Sequence, residues 1–322
     1  MINASQLLKI DEERLIAKMS DYLHSLCAQK EVGGVVGGLS GGVDSAVLFS
    51  LLVRSLGQKS VHAMYLYDQD NEWSQGANAQ HVADWLKIEL KAENLEKLKG
   101  DESSFNTTAV RIARISPVIN RLIFRLYRLF AKESPFVSSL RAGSRAAKTQ
   151  NVVLEYIDRY ADELYYARHR YRRQILEEEA KAHNWLVLGA ANRTEWEVGW
   201  FVKGGVDDLP DQPLIGLYKT QVRQMAAYLG VPENIRKQAP SADMVRGVSD
   251  EYAIGMRYST LDLGLDYLAD GVSLEDLHSA GVTDKDVQRI REMKELSQWK
   301  RQGMAIPPAV DGSIRGGLRV GY

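Results

Sequence analysis

Six residues, Ser40-Gly41-Gly42-Val43-Asp44-Ser45, carry the densest chemical signal in this sequence. Two glycines let the backbone approach an anion with no Cβ in the way. Two hydroxyls can donate to phosphate oxygens, and one carboxylate can hold a cation. The apolar pair Val35-Val36 upstream reads as a buried strand. The run from Asp44 to Val53 reads as a helix with an acidic, hydroxyl-rich first turn. Strand, glycine turn and helix N-terminus bring free N–H groups and the positive end of a helix dipole to one spot. No Lys follows the glycines, so the stretch is not GxxxxGK[ST], and its spacing is not GxGxxG.

The hexapeptide resembles the SGGxDS loop of the ATP pyrophosphatases, the adenine-nucleotide α-hydrolase-like enzymes. In that superfamily the loop holds the pyrophosphate that leaves when ATP donates AMP. The resemblance implies ATP contacts at Gly38, Leu39, Ser40, Gly41, Gly42, Val43, Asp44 and Ser45.

The elements that must position this loop are legible on both sides of it. Residues 5–29 carry apolar side chains at helical spacing and predict one helix leading into the strand. Lys59–Tyr67 reads as a second strand, with Asp68–Trp73 a polar loop at its end. Ala77–Leu86 reads as a helix and Ile88–Leu90 as a weak third strand. Val152–His183 reads as one long helix whose polar face includes Arg168, Arg170, Arg172 and Arg173. Trp185–Gly189 is a buried strand, Ala190–Glu195 a loop, and residues 201–217 a Gly/Asp/Pro-rich loop. Lys219–Leu229 is a helix, Pro232–Arg236 a helical turn, and the pattern beyond about 270 is helical to Lys300. Strands alternating with helices predict an α/β fold with a parallel sheet of five or more strands, helices on both faces and a helical C-terminal region. Residues 1–275 read as the α/β domain, and 276–322 as a helix and tail of the same domain.

Residues 111–148 stand apart, with nine basic residues (Arg111, Arg114, Arg121, Arg125, Arg128, Lys132, Arg141, Arg145, Lys148) and one acid, Glu133. Ile119, Leu122, Ile123, Leu126, Leu129 and Phe130 recur at helical spacing within them. This predicts an amphipathic helix at a subunit interface or against the core. An anionic membrane or nucleic-acid surface is the alternative.

Composition bounds the rest. The chain has 322 residues, 45% hydrophobic and 26% charged, with formal net charge −1. That balance calls for neither nucleic acid nor a membrane partner. The one cysteine, Cys27, can form no internal disulfide, which fits a cytoplasmic location. No secretory signal and no transmembrane run is visible.

Later stretches narrow the resemblance to the ammonia-dependent NAD synthetases of that superfamily. Val187-Leu-Gly-Ala-Ala-Asn-Arg-Thr-Glu195 looks like the family's strand and loop ending in Glu. Phe201-Val-Lys203 looks like its Phe-Thr-Lys, and Leu217-Tyr-Lys-Thr-Gln-Val-Arg223 matches its LYKTQVR. Leu229-Gly-Val-Pro-Glu, Ala239-Pro-Ser-Ala-Asp243 and Asp250-Glu251 followed by Leu261-Asp262 match in order. The resemblance covers most of residues 15–310, with 100–150 poorly matched.

The activity so implied converts a carboxylate to an amide. The carboxylate of nicotinic acid adenine dinucleotide attacks the α-phosphate of ATP, and ammonia then displaces AMP. Charge builds on phosphate oxygens, so such a site needs Mg²⁺ and fixed cations. The resemblance implies Asp44 and Glu195 as metal ligands, and Lys219 and Ser241 at the ATP phosphates, with Asp44, Lys219 and Ser241 the catalytic set. It implies Ala190 beside ATP, where the family has a threonine. Arg170, Lys203 and Lys300 would contact the dinucleotide; Arg168 competes with Arg170 for its place, and the spacing back from Ala180-Lys-Ala-His-Asn184 favours Arg170. The family's Lys-Tyr-Gly-Asp-Gly-Gly-x-Asp reads here Lys203-Gly-Gly-Val-Asp-Asp-Leu-Pro210, so the acceptor half of the site departs more than the ATP half. A different carboxylate acceptor is the rival reading. A non-catalytic nucleotide-binding protein using the basic segment ranks below it. The family pairs two chains, so a homodimer is implied. About 30 residues precede the loop, too few for a glutaminase domain, which predicts free ammonia or ammonia from a separate protein.

Overall fold

The computed structural model describes residues 3–68, 73–96, 116–143, 166–240 and 247–301. Its centre is a parallel sheet. Strand β1 (Gly34–Gly38) pairs with β2 (Val61–Tyr67) and with β4 (Trp185–Val187); β2 pairs with β3 (Leu90–Asn94). The order is β3-β2-β1-β4, with Val35 opposite Val61 and Leu186. Four strands stand among the described residues, where the sequence predicted five or more.

Side chains alternate across a strand, and β1 shows the consequence. Val35 packs into a core with Phe49, Leu51, Leu52 and Met225, while its neighbour Val36 packs with Leu66, Leu176 and Ala180 on the other face. Helices therefore cover both faces. Helix α1 (Ala4–Leu7) and α2 (Glu12–Lys30) precede β1; α3 (Val43–Leu56) and α4 (Trp73–Leu86) follow β1 and β2. The predicted single N-terminal helix is two, because Asp11 caps α2 by accepting a bond from the Arg14 N–H at 3.0 Å. The third strand begins where the predicted one ends; it is a half-exposed edge strand, and its apolar pattern is correspondingly weak.

The described residues of the basic segment form two helices rather than one: α5 (Pro117–Ala131) and α6 (Pro135–Gly143). The chain turns between them at Lys132, whose φ is 59°, and Pro135 starts the next helix. Helix α7 (Ala167–His183) packs on the Val36 face. The rest of the predicted helix from Val152 lies outside the described residues.

Downstream come α8 (Arg193–Val198), α9 (Lys219–Tyr228), α10 (Glu233–Lys237), α11 (Asp250–Ile254) and α12 (Tyr258–Leu268). Then α13 (Leu274–Ser279), α14 (Asp284–Leu296) and α15 (Gln298–Arg301) complete the helical C-terminal region. Its apolar residues, with those of α6, form a second core around Tyr258, Leu261, Ile290 and Met293. No described helix is long and apolar enough to cross a membrane.

Candidate nucleotide and carboxylate site

A cavity of about 220 Å³ opens beyond the carboxyl ends of β1, β2 and β4, where open parallel sheets bind ligands. Its floor is the glycine loop. Gly41 has φ +80°, and a Cβ there would sit 2.5 Å from the Gln75 carbonyl oxygen, so only glycine lets the turn pass α4. The Ser40 and Ser45 hydroxyls lie 3.1 Å apart, and Ser40 Oγ accepts from the Gly42 N–H at 3.3 Å. Gly42 caps α3 without a side-chain hydrogen bond, which leaves the helix's leading N–H groups for a ligand. Gly38, Leu39, Ser40, Gly42, Val43, Asp44, Ser45 and Ala190 all line the cavity.

Three segments distant in sequence meet over this floor. Lys219 Nζ donates to Asp44 Oδ2 at 2.5 Å and to Glu195 Oε1 at 2.9 Å. Asn192, fully buried, ties the two acids together. Its carbonyl accepts from the Glu195 N–H at 3.1 Å, capping α8, and its amide donates to Asp44 Oδ1 at 2.9 Å. The Tyr258 hydroxyl donates to Asp250 Oδ2 at 3.0 Å and stands 3.3 Å from Glu195 Oε1. Behind them Asp262, with no exposed surface, accepts from Thr194 Oγ1 at 2.5 Å and from the Thr220 N–H at 2.7 Å. One carboxylate thereby fixes the starts of α8 and α9, which carry Glu195 and Lys219.

The electrostatics follow from crowding. Burial pushes the Glu195 carboxyl up to about 8; Lys219 pulls it down, while Asp44 and Asp250 reinforce the rise. Burial opposes the charge on Lys219, but Asp44, Glu195 and Asp250 outweigh it and hold the ammonium protonated above its usual range. Burial raises Asp207 to about 6 against the pull of Arg172, with Asp44, Asp250 and Asp208 adding to the rise. The site thus holds more negative charge than its own cations balance.

Two carboxylates converging on one cation fit Mg²⁺, which takes one or two acidic ligands plus phosphate and water oxygens. No cluster of three or more potential ligands occurs among the described residues, so phosphate and water would complete the shell.

The predicted acceptor residues stand differently. Lys203 is exposed and donates to the Trp299 and Lys300 carbonyls at 3.1 and 3.4 Å. Lys300 is buried; its ammonium donates to the Gly199 and Phe201 carbonyls at 2.9 and 2.6 Å, which ties the C-terminal helix to the acceptor loop. Arg170 is exposed, its stem beside Gly204, outside the cavity lining. Arg168 is buried and sits 3.6 Å from Asp68. Ser241 lies outside the described residues.

Several site residues were missed from sequence. Arg172 lines the cavity, donating to the Leu66 carbonyl at 3.2 Å and to Asp68 at 3.3 Å. His169 faces Asp207 at 3.5 Å, and burial with Arg172 and Arg168 lowers its pKa to about 3. Arg168 and Arg172 are one helical turn apart, and Asp68 ends a strand; that pattern was the available signal.

Strand, glycine loop, a helix start without a side-chain cap and paired acids define an α/β protein with a site suited to an anion and a cation at the carboxyl edge of its parallel sheet. Comparison with known proteins gives the family. The NAD synthase family model matches residues 15–113 and 140–304, and the chain belongs to that family. The NH3-dependent NAD+ synthetase of Thermotoga neapolitana is 31% identical over 302 residues, covering 94% of this chain and 97% of that protein. An NMN synthetase structure from Francisella tularensis superposes with TM-score 0.63 at 26% identity, over 93% of this chain and 100% of that one. The NH3-dependent NAD synthetase structure from Campylobacter jejuni gives TM-score 0.59 at 19% identity, over 92% and 99%, and shows the shared fold.

Proposed function

We propose that the chain is an ammonia-dependent NAD synthetase, joining the carboxylate of nicotinic acid adenine dinucleotide to ammonia at the expense of ATP. The observation that carries this reading is the convergence of Asp44 and Glu195 on Lys219 above the uncapped start of α3. Ser40, Ser45 and the leading N–H groups of α3 bind the departing pyrophosphate. Lys219 donates to the phosphates as the acceptor carboxylate attacks the α-phosphorus and the bond to pyrophosphate breaks. Ammonia then attacks the acyl carbon, AMP leaves, and the nitrogen sheds its extra proton. Asp44 and Glu195 would hold Mg²⁺, which supplies positive charge for the phosphates. Ser241 completes the ATP site by family resemblance. Arg170, Lys203 and Lys300 are assigned to the acceptor side, Lys300 by fixing its loop. The reading includes free ammonia, supported by the relatives' name, a cytoplasmic location, which the single cysteine fits, and a homodimer, which rests on the family resemblance alone.

One observation favours a second acceptor. The 203–210 loop departs from the family pattern, with Pro210 at its last Asp position, and an NMN synthetase is among the similar structures. A mononucleotide acceptor is therefore tested beside the dinucleotide. The purified chain is given ATP, Mg²⁺, ammonium and each deamidated precursor, and products are read by mass spectrometry. NAD from the dinucleotide precursor is expected; pyrophosphate release stimulated only by the mononucleotide would replace the acceptor, and stimulation by neither would overturn the reading.

A further inference from the structure

Helix α5 is mounted with its apolar side outward. Val118, Leu122, Leu126, Leu129 and Phe130 span an arc of about 120° at 3.6 residues per turn, and all five are exposed, Val118 at 71%, Leu129 at 67% and Phe130 at 85%. The opposite side faces the protein. Asn120 is buried there, Phe124 packs against Tyr252, and the Tyr127 hydroxyl donates to Ser138 Oγ at 2.7 Å. Arg121 Nε donates to the Gly247 carbonyl at 2.6 Å, and the Arg128 guanidinium lies 5.8 Å from the centre of the Tyr252 ring. A core-seeking helix would be turned the other way round.

Charge says what covers that face. Arg121, Arg125 and Arg128 lie along one flank of the apolar arc, Lys132 follows on the same flank, and residues 116–132 contain no acid. A second copy would bring four more cations to the same seam with no carboxylate on the helix to meet them. A nucleic acid would match the arginines and leave five apolar side chains in water. An anionic lipid surface takes both: its acyl boundary receives the apolar arc and its phosphates the flanking Arg125 and Lys132. The family model's two matched stretches end at 113 and resume at 140, so α5 lies between them, outside the shared catalytic fold.

We propose that α5 docks the protein on an anionic bilayer, lying in the interface with Val118, Leu122, Leu126, Leu129 and Phe130 inserted. The test is co-sedimentation of the full chain with phosphatidylcholine vesicles, with and without phosphatidylglycerol. Binding to the anionic vesicles alone, weakened by salt, is expected. L122E and F130E each weaken it roughly tenfold or more, and R125Q and K132Q about fivefold each, while circular dichroism and ligase turnover stay at the parent's level. Absence of sedimentation with anionic vesicles overturns the proposal, as does sedimentation that L122E/F130E leaves unchanged. So does a parent that binds no vesicle and whose mass by light scattering falls in L122E/F130E, which assigns the face to a second copy. Oligonucleotide binding without vesicle binding overturns it too.

Discussion

Replacing Lys219 with Met removes the ammonium from between Asp44 and Glu195 and keeps the volume of the side chain. The side chain is 3% exposed and donates to both acids, at 2.5 and 2.9 Å. Breaking a buried pair leaves uncompensated charge and costs about 3–5 kcal/mol. For a chain of this size that lowers the melting temperature by on the order of 5–10 °C. The cost depends on pH with a definite sign. Burial and like charges raise the Glu195 pKa from 4.5 to about 8. Stability from such a raised acid is present below its unfolded value and lost as pH climbs toward the folded one. Without Lys219 the value moves further up, so K219M melts closest to the parent near pH 5 and lowest at pH above 8. A divalent cation held by Asp44 and Glu195 beside the Met side chain would supply the missing positive charge, so Mg²⁺ restores part of the loss. The assay is thermal unfolding of parent and variant in chelator and in Mg²⁺, across pH. If K219M melts with the parent in chelator at alkaline pH, or if Mg²⁺ restores nothing, the two acids do not share a cation as argued.

Other perturbations follow from single contacts. Gly41→Ala meets a left-handed φ and the Gln75 carbonyl together; it should cost about 1–3 kcal/mol and raise the KM for ATP, measured by melting and pyrophosphate release. Asp262→Ala leaves the Thr194 hydroxyl and the Thr220 N–H unmet; urea unfolding should show a loss of about 2–5 kcal/mol, with Asp262→Asn losing less than half of that. Asp207, raised from 3.8 to about 6 by burial, costs stability that accumulates as pH rises from 3.8 to about 6 and is complete above that. Its side chain is 34% exposed, so solvent screening leaves a gain of about 1 kcal/mol for D207N at pH 8 and none at pH 4; equal gains at both would refute the assignment.

The anion loop was legible in sequence because its chemistry is local. Two glycines, two hydroxyls and a helix start within six residues describe a phosphate cradle without reference to anything distant. The parallel sheet was legible for the same reason: β1 and β2 are runs of apolar residues bounded by breakers. The third strand was read too early, because an edge strand with half its side chains in water has no strong pattern. The two-helix form of the basic segment had a local signal that the helical reading passed over: Lys132-Glu-Ser-Pro135 interrupts the apolar period with a proline.

What the amino-acid order carried alone was the anion cradle, since residue type and short spacing suffice for it; the pairing of Asp44 with Glu195, far apart in the chain, came only from the resemblance to the family. Only the tertiary structure decided that Lys219 stands between those acids, that Asn192 and Asp262 hold them there, and that Lys300 braces a loop rather than lining the cavity. It also decided that α5 shows its apolar side to solvent. These outcomes depend on how helices from opposite ends of the chain are rotated and seated on one sheet, and that is set by the packing of the whole core rather than by any single stretch.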